Sequence, residues 1–112
     1  MAEAQASPLF HPWVRSFFKL DPAPFWEKVS CPALVLFGSM DFQVPPQMNR
    51  GAIEAAAVKA GNKDVTVQVL KDHNHLFQVA VTGTLQEYEE LEETFHAPTM
   101  EMIAAWLKER AF

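Results

Sequence analysis

The chain has 112 residues, a formal charge of −5 and 49% hydrophobic residues, with nine Phe and three Trp. That apolar content excludes a disordered chain, and the length sets one domain, residues 1–112. Its nine Lys and Arg are scattered, which excludes a nucleic-acid partner, and no apolar run approaches the roughly 20 residues that span a bilayer.

In chain order, Met1 to Ser7 lack the basic and apolar regions of a secretory signal, so the chain reads as soluble with its compartment open. Pro8 to Leu20 predicts a helix with Phe10, Trp13, Phe17 and Phe18 around much of its circumference. A helix this apolar calls for cover on more than one side, from the core or from an oligomer contact. Asp21-Pro22 is a restart signal, with Asp as N-cap and Pro at the first helical position of a short helix that ends near Val29. Cys31, the lone cysteine, has no internal disulfide partner, and its place before an apolar run predicts an inert core thiol.

Ala33 to Phe37 (ALVLF) is a short apolar run closed by Gly38. Length and flanks make it a strand buried on both faces. Gln47 to Ala60 is a helix entered through Pro45-Pro46 and stopped by Gly61-Asn62. Val65 to Leu70 alternates, with Val65, Val67 and Val69 on one face and Thr66 and Gln68 on a less buried one, as in an edge strand. Lys71 to Gly83 reads as loop, and the acidic stretch Leu85 to Glu93 as a short solvated helix or loop. Pro98 opens a last amphipathic helix with Met100, Ile103, Ala104 and Leu107 on one face. Met48, Met100 and Met102 read as packing residues.

The expected class is therefore α/β, with two parallel strands at about 33–38 and 65–70 and flanking helices. A helical crossover makes the strands parallel, so both end on one side of the sheet, about 4.8 Å apart. The loops Gly38-Ser39-Met40-Asp41 and Asp72-His73-Asn74-His75 then share the carboxyl edge where open α/β sheets gather their sites. Asp41 and His75 are thereby placed within reach of each other. A carboxylate that accepts the Nδ1 proton of an imidazole fixes its tautomer and stabilises the cation formed in catalysis. Asp72, His73, His75 and Asp41 lack the enforced geometry of a zinc site, so neither metal nor cofactor is expected.

These two segments carry a resemblance. Gly-Ser-Met-Asp-Phe-Gln-Val-Pro-Pro at 38–46 resembles the acid turn of α/β-hydrolases, and Asn-His-Leu-Phe-Gln at 74–78 resembles their histidine loop. Lys63 to Val67 and Ile103 to Leu107 also look like that family. The likeness runs from about Pro8 to Arg110 and covers roughly the last third of the fold. It implies a serine hydrolase acting on a small acyl substrate, an ester or peptide, with Asp41 as the acid and His75 as the general base.

The family's Gly-x-Ser-x-Gly elbow does not occur in the sequence. The serine near the site, Ser39, would serve as nucleophile only if its oxygen met the imidazole with oxyanion donors nearby. A two-stranded sheet with an apolar edge predicts completion by oligomerisation, through the aromatic helix or the strand edge. The alternative function is a non-catalytic oligomeric remnant of a hydrolase fold.

Overall fold

The computed structural model describes residues 10–110; Pro8 and Leu9 of the first predicted helix lie outside them. Helix α1 (Pro12–Phe18) begins where Pro12 presets the backbone and the His11 Nδ1 accepts the Trp13 N–H. Helix α2 (Ala23–Trp26) is a single turn whose N-cap is Pro22 rather than the expected Asp21; the Asp21 carboxylate, one residue further back, accepts the Ala23 N–H (3.0 Å), and turn hydrogen bonds carry the chain on to Val29. Strand β1 (Ala33–Gly38) leads to α3 (Pro46–Ala60), then to β2 (Val65–Leu70), a 3-10 helix (Leu85–Glu89) and α4 (Ala97–Glu109).

The two strands form one parallel sheet in flush register, from Ala33 opposite Val65 to Gly38 opposite Leu70. Helix α3 packs against β2 with Ala56 and Ala57 buried, and Ala57 shares a surface depression with Val65 and Val67 of the strand. Trp106 of α4 reaches Thr66, on the other side, with its indole nitrogen 3.4 Å from the hydroxyl. Successive strand residues alternate between faces, so helices cover the sheet on both. The arrangement is an α/β mix, as its alternating helix and strand signals predict.

Two joints hold the end of the sheet where both strands begin. Asn62, just beyond α3, donates from its amide to the carbonyls of Val29 (3.0 Å) and Cys31 (2.8 Å). At the end of α4, Arg110 grips the Asp64 carboxylate through Nε and Nη2 and lies 4.0 Å over the Trp106 ring. This guanidinium holds Asp64 below the ordinary carboxylate range.

Several expectations change. Ala33 to Leu36 are half-buried and only Phe37 and Gly38 are buried, because one flanking strand and two helices cover β1 incompletely. Val69 of β2 is exposed, so the alternating pattern loses its third apolar anchor. Cys31 is exposed rather than a core thiol, since it lies in the lead-in before the strand begins. Met48 is 79% exposed, and Phe10, Trp13, Phe17 and Phe18 are 64–70% exposed; none is a core residue. In α4 the covered stripe is Thr99, Met102, Ile103, Trp106 and Arg110, while Met100, Ala104 and Leu107 face outward. The 3.6-residue period holds, but Trp106 sets its phase.

Buried apolar side chains among the described residues are Phe37, Pro46, Ala56, Ala57 and Ala80. Much of the remaining order comes from satisfied polar groups. Glu87, on the 3-10 helix, is the strongest case. Its buried carboxylate accepts the backbone N–H groups of Val81, Thr82 (2.6 Å) and Gly83 (2.9 Å) and the Thr82 hydroxyl. The Thr82 hydroxyl first, then the Val81 N–H and the other amides, pull its pKa down to about 2 against the opposing effect of desolvation.

A depressed carboxylate pKa gives stability that is whole above the unfolded value of about 4.3 and is lost as pH falls through the folded value. Urea unfolding of the protein and of Glu87→Gln between pH 6 and pH 2 should therefore show a stability gap that closes as pH approaches 2. A gap independent of pH would show that the carboxylate charge is not what holds the turn.

Candidate functional site

The flush pairing continues beyond the strands. The Ser39 N–H donates to the Leu70 carbonyl (2.9 Å) and the Met40 N–H to the His73 carbonyl (2.9 Å). Gly38 makes this approach possible: a Cβ there would lie 2.2 Å from the His73 oxygen and 2.8 Å from the Asn74 oxygen, both backbone atoms. The two loops at the carboxyl ends of β1 and β2 are thus in contact along their main chains.

Asp41 sits in the turn after β1, 6% exposed. Its Oδ1 accepts the N–H groups of Gln43 (2.9 Å) and Val44 (2.8 Å), an Asx turn that fixes the carboxylate plane. Its Oδ2 accepts Nδ1 of His75 at 2.8 Å. The two side chains, 34 positions apart in sequence, are the pair that strand topology places together. With Nδ1–H committed to the carboxylate, Nε2 of the neutral ring is the acceptor. Nε2 makes no hydrogen bond to any described residue, and the His75 side chain is 37% exposed against 7% for Asp41. One end of the imidazole is anchored in the protein and the other is open. Such a ring can take a proton from a group presented to Nε2 while the buried carboxylate balances the charge.

The histidine loop is held by Asn74, which is wholly buried. Its Oδ1 accepts the N–H groups of Leu76 and Gln78, both at 3.0 Å, and its Nδ2 donates to Gln78 Oε1 at 2.8 Å. Asp72 (φ 60°) and Phe77 (φ 56°) adopt the left-handed region, which is unfavourable for a residue as bulky as Phe. Phe77 is held there by the His96 N–H on its carbonyl (2.8 Å) and by stacking on Phe95 at 5.6 Å.

His73 has a different place from His75. It is buried, with Nδ1 donating to the Lys71 carbonyl (2.7 Å) and Nε2 bonded to the Thr99 hydroxyl (2.8 Å). Both ring nitrogens are used, Nδ1 within the loop's own segment and Nε2 in joining the loop to α4. Ser39 Oγ accepts the Asp72 N–H at 2.8 Å, so this hydroxyl ties the two loops together. Among the described residues no group of three or more His, Cys, Asp or Glu is arranged to hold a metal ion, and no helix is long and apolar enough to cross a membrane.

The sequence places Asn74 and Gln78 in the histidine loop but gives them no role, and it gives none to Gly83 or Glu87. Their roles are hydrogen bonds and close approaches, which leave no periodic signal. The burial of Asn74 beside the histidine is not written in the loop's composition. A shallow cleft of about 370 Å³ borders the acid turn, with Phe42, Gln43, Leu85 and Tyr88 in its walls.

Comparisons with family models, with curated proteins and with solved structures return no match to this chain. The site's interpretation rests on its own geometry.

Gly38→Ala should cost about 1–3 kcal/mol, the usual penalty for overpacking, because the added methyl meets backbone rather than a movable side chain. Urea denaturation measures it; unchanged stability would show that the two loops do not approach at Gly38.

Proposed function

We propose that the chain is the acid-and-histidine portion of an α/β-hydrolase-type serine hydrolase, acting on an ester or peptide acyl group. The observation that carries this reading is the 2.8 Å contact between the buried Asp41 carboxylate and His75 Nδ1, with Nε2 open, at the rim where two parallel strands end. Asp41 fixes the tautomer and stabilises the imidazolium. His75 takes the proton from a serine hydroxyl as it attacks the carbonyl, and returns it to the leaving group. The Gly-x-Ser-x-Gly elbow is absent from these 112 residues, so the nucleophile comes from polypeptide outside them.

The same reading includes a partner surface. The outer edge of β1 pairs with no strand among the described residues, and an unpaired apolar edge favours association. The exposed aromatics of α1 add a second unpartnered surface, and a homo-oligomer would cover both. A second reading, a non-catalytic oligomeric domain, is favoured by Ser39, whose hydroxyl is engaged with the Asp72 amide instead of the imidazole.

Hydrolysis of an activated ester by the protein, in the assembly in which it occurs, separates the two. Under the hydrolase reading, His75→Ala lowers the rate by about 10²–10⁴-fold, and a fluorophosphonate labels a serine outside residues 1–112. Activity that survives His75→Ala removes the role given to the pair, and an inert, unlabelled assembly favours the non-catalytic domain. Light scattering at micromolar concentration should give a mass above that of one chain; a monodisperse monomer would remove the oligomer.

A further inference from the structure

The segment between Val79 and Tyr88 touches both loops of the Asp41–His75 pair. On the histidine side, Val79 bridges His73 in antiparallel fashion and the Ala80 N–H donates to the Asp72 carbonyl at 2.7 Å. On the acid side, Gly83 is buried with its backbone at φ 72°, and a Cβ built there would lie 2.6 Å from the Met40 carbonyl and 3.0 Å from the Phe42 ring. Further along, the Tyr88 hydroxyl accepts Gln43 Nε2 at 2.9 Å. Met40, Phe42 and Gln43 are the neighbours of Asp41 in its turn, and the Gln43 N–H is one of the two that hold Asp41 Oδ1.

What fixes this segment is one side chain. Glu87 gathers the N–H groups of three successive residues, Val81 to Gly83, on its carboxylate. It thereby sets the curve that carries the chain from the histidine loop to the acid turn. Glu87 lies outside hydrogen-bonding reach of Asp41 and His75, whose own partners are different groups. Its influence passes through Gly83 to Met40 on one side, and through Ala80 to Asp72 on the other.

We propose that Glu87 is a positioning residue for the Asp41–His75 pair: by clamping Val81 to Gly83 it holds the acid turn and the histidine loop at the separation that keeps His75 Nδ1 on the carboxylate. The proposal rests on the reading of these two residues as a functional acid–imidazole pair. The amide form in Glu87→Gln retains the size of the side chain but presents an NH₂ where an acceptor is needed, so three backbone donors compete for one oxygen. The turn then loosens, and the spacing of the two loops with it.

Long-range proton–nitrogen correlation spectra of the histidine rings in the full chain test this by reporting which nitrogen carries the proton. In the unaltered protein, at a pH where the rings are neutral, His75 is expected as a single Nδ1–H tautomer. Asp41→Asn serves as the control that removes this preference. In Glu87→Gln, His75 should show both tautomers, while His73, held by Lys71 and Thr99, retains its Nδ1 proton. Gly83→Ala, which pushes a methyl toward Met40 and leaves the carboxylate intact, should have the same effect on His75 by a separate route.

A His75 ring that stays wholly Nδ1–H in Glu87→Gln, or in Gly83→Ala should the first variant not fold, overturns the proposal. Loss of the fixed tautomer at His73 together with His75 also overturns it, because Glu87 would then stabilise the fold in general. If His75 shows no preferred tautomer in the unaltered protein, the pairing itself is wrong and both readings fail. A preference present but insensitive to Glu87 removes this proposal alone.

Discussion

The close approach of two backbones at Gly38 governs how this protein is put together. Parallel strands with flush ends would by themselves bring two loops near each other. Here the hydrogen-bond ladder runs past the strands, through Ser39 to Leu70 and Met40 to His73, and Gly38 leaves the room it needs. Every later contact at the rim follows from that proximity. The Ser39 hydroxyl reaches the Asp72 amide, Asp41 reaches His75, and the segment after Ala80 can touch both loops at once. The alternative, a rim of side chains bridging a wider gap, would leave buried amides without partners at a cost of about 1–3 kcal/mol each.

Polar groups dominate the order of this rim because the apolar core beneath it is small. Asn74 satisfies two amides and a side-chain oxygen, Glu87 satisfies three amides and a hydroxyl, and Glu93 accepts the Val79 N–H at 2.7 Å. That last bond, followed by the His96 ring, holds Glu93 below the ordinary carboxylate range. Asn74 and Glu87 are accepted inside only because each is paired; no buried side-chain nitrogen or oxygen among the described residues lacks a partner. Fully satisfied networks fix loops in one geometry, and a loop with two residues at positive φ needs that support.

The parts legible in the sequence are those written as periodicity or punctuation. The two strands and the crossover helix between Pro46 and Gly61 carry local signals that the coordinates match, and the restart after Asp21 does so one residue later than the signal places it. The Asp41–His75 contact was legible because strand direction alone determines which loops share an edge. Burial was less so. ALVLF reads as central because its residues are apolar, but coverage depends on how many strands and helices lie around it, and that is not encoded within five residues. The phase of α4 was missed for a related reason. Counting apolar residues weights Met100 and Leu107 equally with Trp106, whereas the indole's reach to Thr66 and its stacking under Arg110 decide the orientation. Cys31 and the α1 aromatics show the same limit: hydrophobic character says what a residue prefers, and only the surrounding elements say whether it is covered.

Asn62 has a consequence for motion. By holding two carbonyls on the segment that feeds β1, it closes the strand–helix–strand unit at the base, while the Gly38 approach closes it at the rim. The unit is latched at two places some six residues of strand apart, and neither latch shares an atom with the other. Fraying at the end of α3 would have to break the Asn62 bonds before it disturbed the strands that carry the rim. A fluctuation that separates the rim loops can likewise occur with the strand register intact. Two latches so placed allow the sheet to open from either end independently.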